Sequence, residues 1–113
     1  MLSINALEEL GANTQEGLKR CMNNESFYLR MVEMGLKDKG FDTLKTALDA
    51  GDLQTAFEAA HALKGVLSNL ALTSLVTPVS EITELLRART EMDYTPYVTQ
   101  ILELRDRYVA LLD

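Results

Sequence analysis

The chain of 113 residues holds one cysteine, one histidine and two prolines. Cys21 alone cannot close an intrachain disulfide, and one cysteine with one histidine cannot build the usual zinc spacings. No metal is expected. A lone cysteine most often sits inert in a core; Arg20 beside it leaves a reactive thiol as the other reading. Such cysteine usage suits a reducing, cytoplasmic compartment. Long apolar runs are missing too, all falling far short of the ~18 residues that a membrane span needs. Met1 to Leu10 has no basic start and carries Glu8 and Glu9, so it does not read as a signal peptide. There is no basic stripe, and a net charge of −6 argues against a nucleic-acid partner. Gly-rich phosphate loops and paired-acid metal sites are absent, and no cofactor is expected. Alternating apolar runs, Asn-Gly turns and β-branched clusters are absent as well, which excludes convincing strands.

What is present is helical periodicity. With 47% hydrophobic and 25% charged residues, the composition is that of a globular chain. Residues 1–113 are expected to form a single helical domain. Leu2 to Leu10 is a short amphipathic piece ended by Gly11. Asn13 and Glu16 read as a capping box for a helix from Thr14 to Met22. Asn23 and Asn24 break and recap the chain ahead of a helix from Glu25 to Lys39. Met22, Met31 and Met34 here read as core filler or as a soft binding surface. Gly40 interrupts the pattern, and Asp42 can cap a renewed helix, Thr43 to Ala50. Gly51 stops that helix and Asp52 caps the next, Leu53 to Ala71. So short a turn forces an antiparallel hairpin. Thr73 is expected to cap a helix from Ser74 to about Arg89, and Thr95 with Pro96 to open the last, ending near Leu112. The pattern predicts an all-α fold: an antiparallel up-and-down four-helix bundle with short additional N-terminal helices. Starting at Met1 and ending soon after its last helix, the chain suits a free-standing module, though a piece of a larger kinase would look similar.

The lone histidine lies inside the helix from Leu53 to Ala71. At about 100° per residue, Leu53, Ala56, Ala60, Leu63, Leu67 and Leu70 form one apolar stripe. His61 falls roughly opposite, on a face shared with Gln54, Phe57, Glu58, Lys64, Gly65 and Ser68. Gly65 is costly there, since a helix-interior glycine is worth about 1 kcal/mol less than alanine. Residues i and i+4 adjoin on a helix, so the missing side chain clears space beside His61. Lys64 adds a cation, which reads either as a solvated charge or as a counter-charge to an anion. Phe57, one turn earlier, is either an apolar rim for a docking partner or a residue leaning into the bundle. Ser68 keeps the approach open with its small side chain. An open imidazole beside a cation suits a nucleophile that receives an anionic group from another protein, and a phosphoryl group is the obvious candidate.

His-Ala-Leu-Lys-Gly, His61 to Gly65, resembles the His-x-Leu-Lys-Gly core of the histidine-containing phosphotransfer (HPt) domain family. Ala50-Gly51-Asp52 ahead of it and Asn69-Leu70 after it are similar to the family as well, and the likeness covers roughly Met31 to Arg87. One departure stands out: where the family usually has a second glycine, ten residues after the histidine, this chain has Ala71. That change is expected to touch the local helix packing more than activity. The resemblance implies a phosphocarrier with no kinase activity of its own. His61 would accept a phosphoryl group from a receiver-domain aspartate in a two-component phosphorelay and pass it to another receiver. The implied partners are receiver domains of response regulators or hybrid histidine kinases, which would supply any Mg²⁺, and the chain itself is expected to be a monomer. In the family a polar residue on the following helix often holds the second ring nitrogen. The usual glutamine is missing, Ser80, Thr83 and Glu84 are nearby, and Thr83 is the expected choice. The competing reading is a helical protein-interaction module with a silent histidine. Such a module would be expected to have lost His61, Lys64 or Gly65, and all three are present.

Overall fold

The computed structural model describes residues 1–112. Seven α-helices follow one another: α1 (Ile4–Glu9), α2 (Thr14–Arg20), α3 (Glu25–Leu36), α4 (Gly40–Asp49), α5 (Leu53–Asn69), α6 (Thr73–Arg87) and α7 (Thr95–Val109). A 3₁₀ turn (Ala110–Leu112) ends the described chain, and it contains no strand. α4 packs on α5, α5 on α6 and α6 on α7, while α7 returns to α4 and closes the bundle. The short turns make these neighbours antiparallel. One core runs through the bundle, with Phe41, Leu44, Leu63, Leu67, Leu75, Ile82, Leu86, Ile101 and Tyr108 buried in it.

α3 extends the α4 arm along the rest of α5. A methyl group on Gly40 would lie 2.8 Å from Leu63 Cγ, and one on Gly35 would collide with Leu70 Cδ1. The two helices therefore meet successive stretches of α5 in antiparallel order, broken at residues 37–39. The break is held by Asp38, whose Oδ1 accepts the Gly40 N–H at 2.7 Å. The renewed helix thus starts three residues before the expected Thr43, and Asp38 stands where Asp42 was expected. α1–α3 cover the end of the bundle where α5 turns into α6. The Tyr28 hydroxyl donates to the Leu70 carbonyl (2.8 Å), the Asn13 N–H to that of Ala71 (2.8 Å), and the Ser74 hydroxyl to that of Leu10 (2.6 Å). Burial, with Tyr108 and Cys21 nearby, pushes the Tyr28 phenol up to about 12, so it stays a donor.

The caps explain the ends of α5. At its start Asp52 accepts the Thr55 N–H (3.0 Å) and the Thr55 hydroxyl (2.6 Å). At its end Leu72 N–H reaches the Leu67 carbonyl (3.1 Å) and Ala71 N–H that of Ser68 (3.0 Å), with Ala71 left-handed at φ 56°. This is a Schellman stop, whose left-handed position favours glycine. Ala71 therefore lies past the helix, not inside it: the departure from the family pattern bears on the helix stop. Asn13 and Asn24 cap α2 and α3 as expected, while the caps of α6 and α7 move by one residue. Leu72 precedes α6, because the tight stop leaves Thr73 already helical. Tyr94 precedes α7, and Asp93 takes the Thr95 N–H at 3.0 Å. Cys21 is buried, as core residues are, but Met22 and Met34 are 87% and 59% exposed, so they are not core filler.

Two predictions follow from this packing. Gly35→Ala forces a methyl into Leu70 and should cost about 1–3 kcal/mol, the usual range for overpacking, read as a lower midpoint in urea. Thr55, first through its hydroxyl and then through its N–H, holds the Asp52 carboxyl below its ordinary value. A depressed carboxyl stabilises the fold above its unfolded-state pKa, and that contribution fades as pH falls through the folded-state value. Asn caps as well as Asp but does not titrate. Melting temperatures followed downward from pH 6 should therefore fall less steeply below about pH 4 in Asp52→Asn than in the wild type. Parallel curves would remove the carboxylate from the account.

Candidate functional site

α5 is apolar on one side and polar on the other, and its packing decides which residues meet water. Ala56, Ala59, Ala60, Leu63 and Leu67 are buried against α4 and α6. Gln54, Glu58, His61 and Gly65 are exposed on the opposite face, and Phe57, Lys64 and Ser68 are half-buried along its edge. Every residue placed on this face by helical spacing is on it. Of the apolar stripe only Leu53 shifts, to the margin of the core, and Ala59 joins the buried side.

Gly65 is open. A Cβ built there meets no atom within 4 Å, whereas one on Gly17 or Gly35 would collide with a neighbour. Helix packing thus accounts for Gly17 and Gly35 but not for Gly65. Lys64, one residue earlier, makes no ion pair among the described residues.

Phe57 does not stand free as a rim: it is half-buried and packs against the core, as the second reading had it. Its ring stacks on His61, with centroids 5.7 Å apart and planes inclined by 22°. The guanidinium carbons of Arg87 and Arg89 lie 5.0 Å and 5.9 Å from the Phe57 centroid. Glu84 holds Arg87 at 3.3 Å. Arg89 reaches across to the side-chain carbonyl of Gln54 and donates to the Leu86 carbonyl at 3.0 Å. At the other end of the face Arg20, paired with Glu16 at 3.2 Å, donates to the Ser68 carbonyl. A chain with a net charge of −6 therefore brings three arginines to the edges of the face that carries His61, Lys64 and Glu58. The arginines were missed because each belongs to a different element from His61. The hairpin pairing of α5 and α6 about residues 70–72 could have pointed to Arg87 and Arg89; nothing in the sequence points to Arg20.

Thr83 requires a correction. It is fully buried, and its hydroxyl donates to the Val79 carbonyl one turn back in α6 at 2.6 Å. That proton is used inside its own helix and does not hold the His61 ring. Glu84, the charged candidate, is engaged by Arg87. Among the described residues no group of three or more His, Cys, Asp or Glu side chains is arranged to hold a metal ion, and no helix is long and apolar enough to cross a membrane.

The arrangement presents one imidazole stacked on Phe57, with open space at Gly65 and Lys64 on the same face. Such a group can attack an electrophile delivered from outside and hold a transferred anion. No match to a curated protein or to a solved structure was found. The family model described as "Hpt domain" matches residues 38–113, which takes in α4 to α7 and the whole His61 face. The match starts later than the expected Met31 and runs past Arg87 into the last helix. With two-thirds of its length matched by that model and an all-helical bundle that carries the histidine outward on α5, the chain belongs to the Hpt domain family.

Proposed function

We propose that His61 accepts a phosphoryl group from the phospho-aspartate of a receiver domain and hands it to the aspartate of another. Hpt domains serve histidine phosphotransfer in two-component systems and are phosphocarriers, not kinases. The observation that supports the specific reading is the open space at Gly65 beside an outward His61. In the forward step a ring nitrogen of neutral His61 attacks phosphorus. An N–P bond forms, the P–O bond to the aspartyl carboxylate breaks, and the carboxylate leaves with the electron pair. The second transfer is the reverse reaction on another receiver. Lys64, one residue from the open position, offers charge to the phosphoryl oxygens; at an exposed site such pairing is worth about 1 kcal/mol or less. The receiver must bring its reacting atoms to about 3–3.5 Å, which needs an unobstructed approach. The membrane-free, nucleic-acid-free partnership and a monomeric cytoplasmic chain are part of the same proposal.

The direct test uses a panel of phosphorylated receivers. Wild type should gain acid-labile, base-stable phosphate, while His61→Gln, an exposed change expected to alter stability by about 0.5 kcal/mol or less, should gain none. Label on the variant at the wild-type level would leave His61 silent, as in a plain interaction module.

Lys64 should matter in order of charge. Lys64→Ala should slow transfer about threefold to fivefold, in keeping with an exposed ion pair, and Lys64→Glu more. Equal time courses for all three would make the lysine a solvated charge.

At Gly65 stability and function should separate. Gly65→Ala should gain about 1 kcal/mol, roughly 4 °C in melting temperature, since nothing crowds the new methyl. Gly65→Gln should fold at least as well as wild type yet slow transfer on the order of a hundredfold, the cost of displacing reacting groups by about 1 Å. Unfolding of Gly65→Gln, or a wild-type rate, would each contradict the open-approach account.

A further inference from the structure

An exposed imidazole turns about two side-chain bonds, so its nitrogens point in many directions unless something holds the ring. Among the described residues no hydrogen bond reaches the His61 ring, and the Thr83 hydroxyl is used by Val79. What does meet the ring is Phe57, one turn earlier on α5, at 5.7 Å and 22°. This is the offset-stacked geometry that aromatic pairs favour. Phe57 is itself held. Arg87 and Arg89 lie within cation–π reach of its ring. Each arginine is tied down in turn, Arg87 by Glu84 and Arg89 by Gln54 and the Leu86 carbonyl. The constraint thus runs from the C-terminal end of α6, through two cations, to the ring of Phe57 and on to the imidazole.

We propose that Phe57, clamped by Arg87 and Arg89, is a positioning residue that sets the plane of the His61 imidazole for attack on phosphorus. For its effect on rate this deepens the phosphotransfer reading and rests on it; the orientation of the ring does not. The geometry explains why a stack serves here. Both ring nitrogens carry their lone pair or proton in the ring plane, so a ring stacked on Phe57 points them outward and not into the neighbouring side chain. Phe57 covers one face of the imidazole, and Gly65 leaves its surroundings open in the other direction along the helix. A hydrogen-bonding partner would hold one nitrogen and leave the other to attack. The aromatic stack fixes the plane without occupying either.

Leucine at position 57 keeps apolar bulk and helix propensity but has no ring plane, while tyrosine keeps the ring. The test uses the full chain as wild type, Phe57→Leu, Phe57→Tyr and the pair Arg87→Gln with Arg89→Gln, with His61→Gln as the blank. Because the chain has one histidine, its ring protons are identified directly by proton NMR. Labelling is then timed with phosphoramidate, a small donor that needs no docking, and with a phosphorylated receiver. In Phe57→Leu the His61 ring protons should lose their ring-current shift, and labelling should slow about threefold to tenfold with both donors, the range expected for an aromatic pair. Phe57→Tyr should restore both readouts, and the double arginine variant should fall between Leu and wild type. Unchanged ring-proton shifts in Phe57→Leu would overturn the proposal. Slowing with the receiver alone would overturn it too, by making Phe57 a docking contact. Wild-type shifts in the double arginine variant would remove the clamp. If no donor labels the wild type, the phosphotransfer reading fails and the rate effect with it, and the ring-proton shifts still decide the orientation.

Discussion

Burial of Ala56, Ala60, Leu63 and Leu67 against α4 and α6 decides where His61 points. An α-helix turns about 100° per residue, so once that stripe is committed to the core the opposite face has no freedom left. His61, Gly65 and Glu58 must then meet water. The rest of the molecule serves this commitment. Asp52 and the Schellman stop at Ala71 set the two ends of α5, and the Tyr28 and Asn13 hydrogen bonds to residues 70 and 71 fix its C-terminal end beneath the N-terminal helices. The side of the bundle on which His61 stands is thereby set by the packing of its helix.

Charge is organised on the same scaffold. Acidic residues outnumber basic ones, 17 to 11, yet Arg87 and Arg89 at the end of α6 and Arg20 at the end of α2 converge on the histidine face. Each is partly engaged: Glu84 holds Arg87, Gln54 holds Arg89, and Glu16 holds Arg20. They act as positioned groups, and Lys64 adds a cation that makes no ion pair among the described residues. Glu16 and Glu84 offset two of the arginines and Glu58 shares the exposed face, so Lys64 and Arg89 are the cations of this face that make no ion pair among the described residues.

The local chemistry of α5 was legible in the sequence because helical periodicity is a local property. The stripe, the outward histidine, the Asp52 cap and the anomalous Gly65 all follow from residues a few positions apart. The same holds for the antiparallel bundle, since turns as short as Gly51–Asp52 allow little else. What was not legible depends on residues brought together from afar, or on competition among several possible caps. Thr83 was placed on the correct helix, but its hydroxyl bonds back to Val79, a choice that buried threonines in helices often make. Phe57 had two readings, and the one that leaned it into the bundle holds; what the sequence does not reveal is that its ring also meets His61, Arg87 and Arg89. Asp38 and Asp42 are both plausible caps near Gly40, and only the turn geometry selects Asp38. Ala71 looked like a helix residue until its left-handed φ showed that it ends the helix.

The central claim is that the outward His61 relays a phosphoryl group between receivers. The most direct measurement is a pulse–chase in which label starts on one purified receiver and a second, unphosphorylated receiver is added with this chain. The account predicts that label leaves the first receiver, appears transiently on His61 and arrives on the second only when the chain is present. Label that reaches inorganic phosphate at the same rate with and without the chain, never passing through His61, would contradict it.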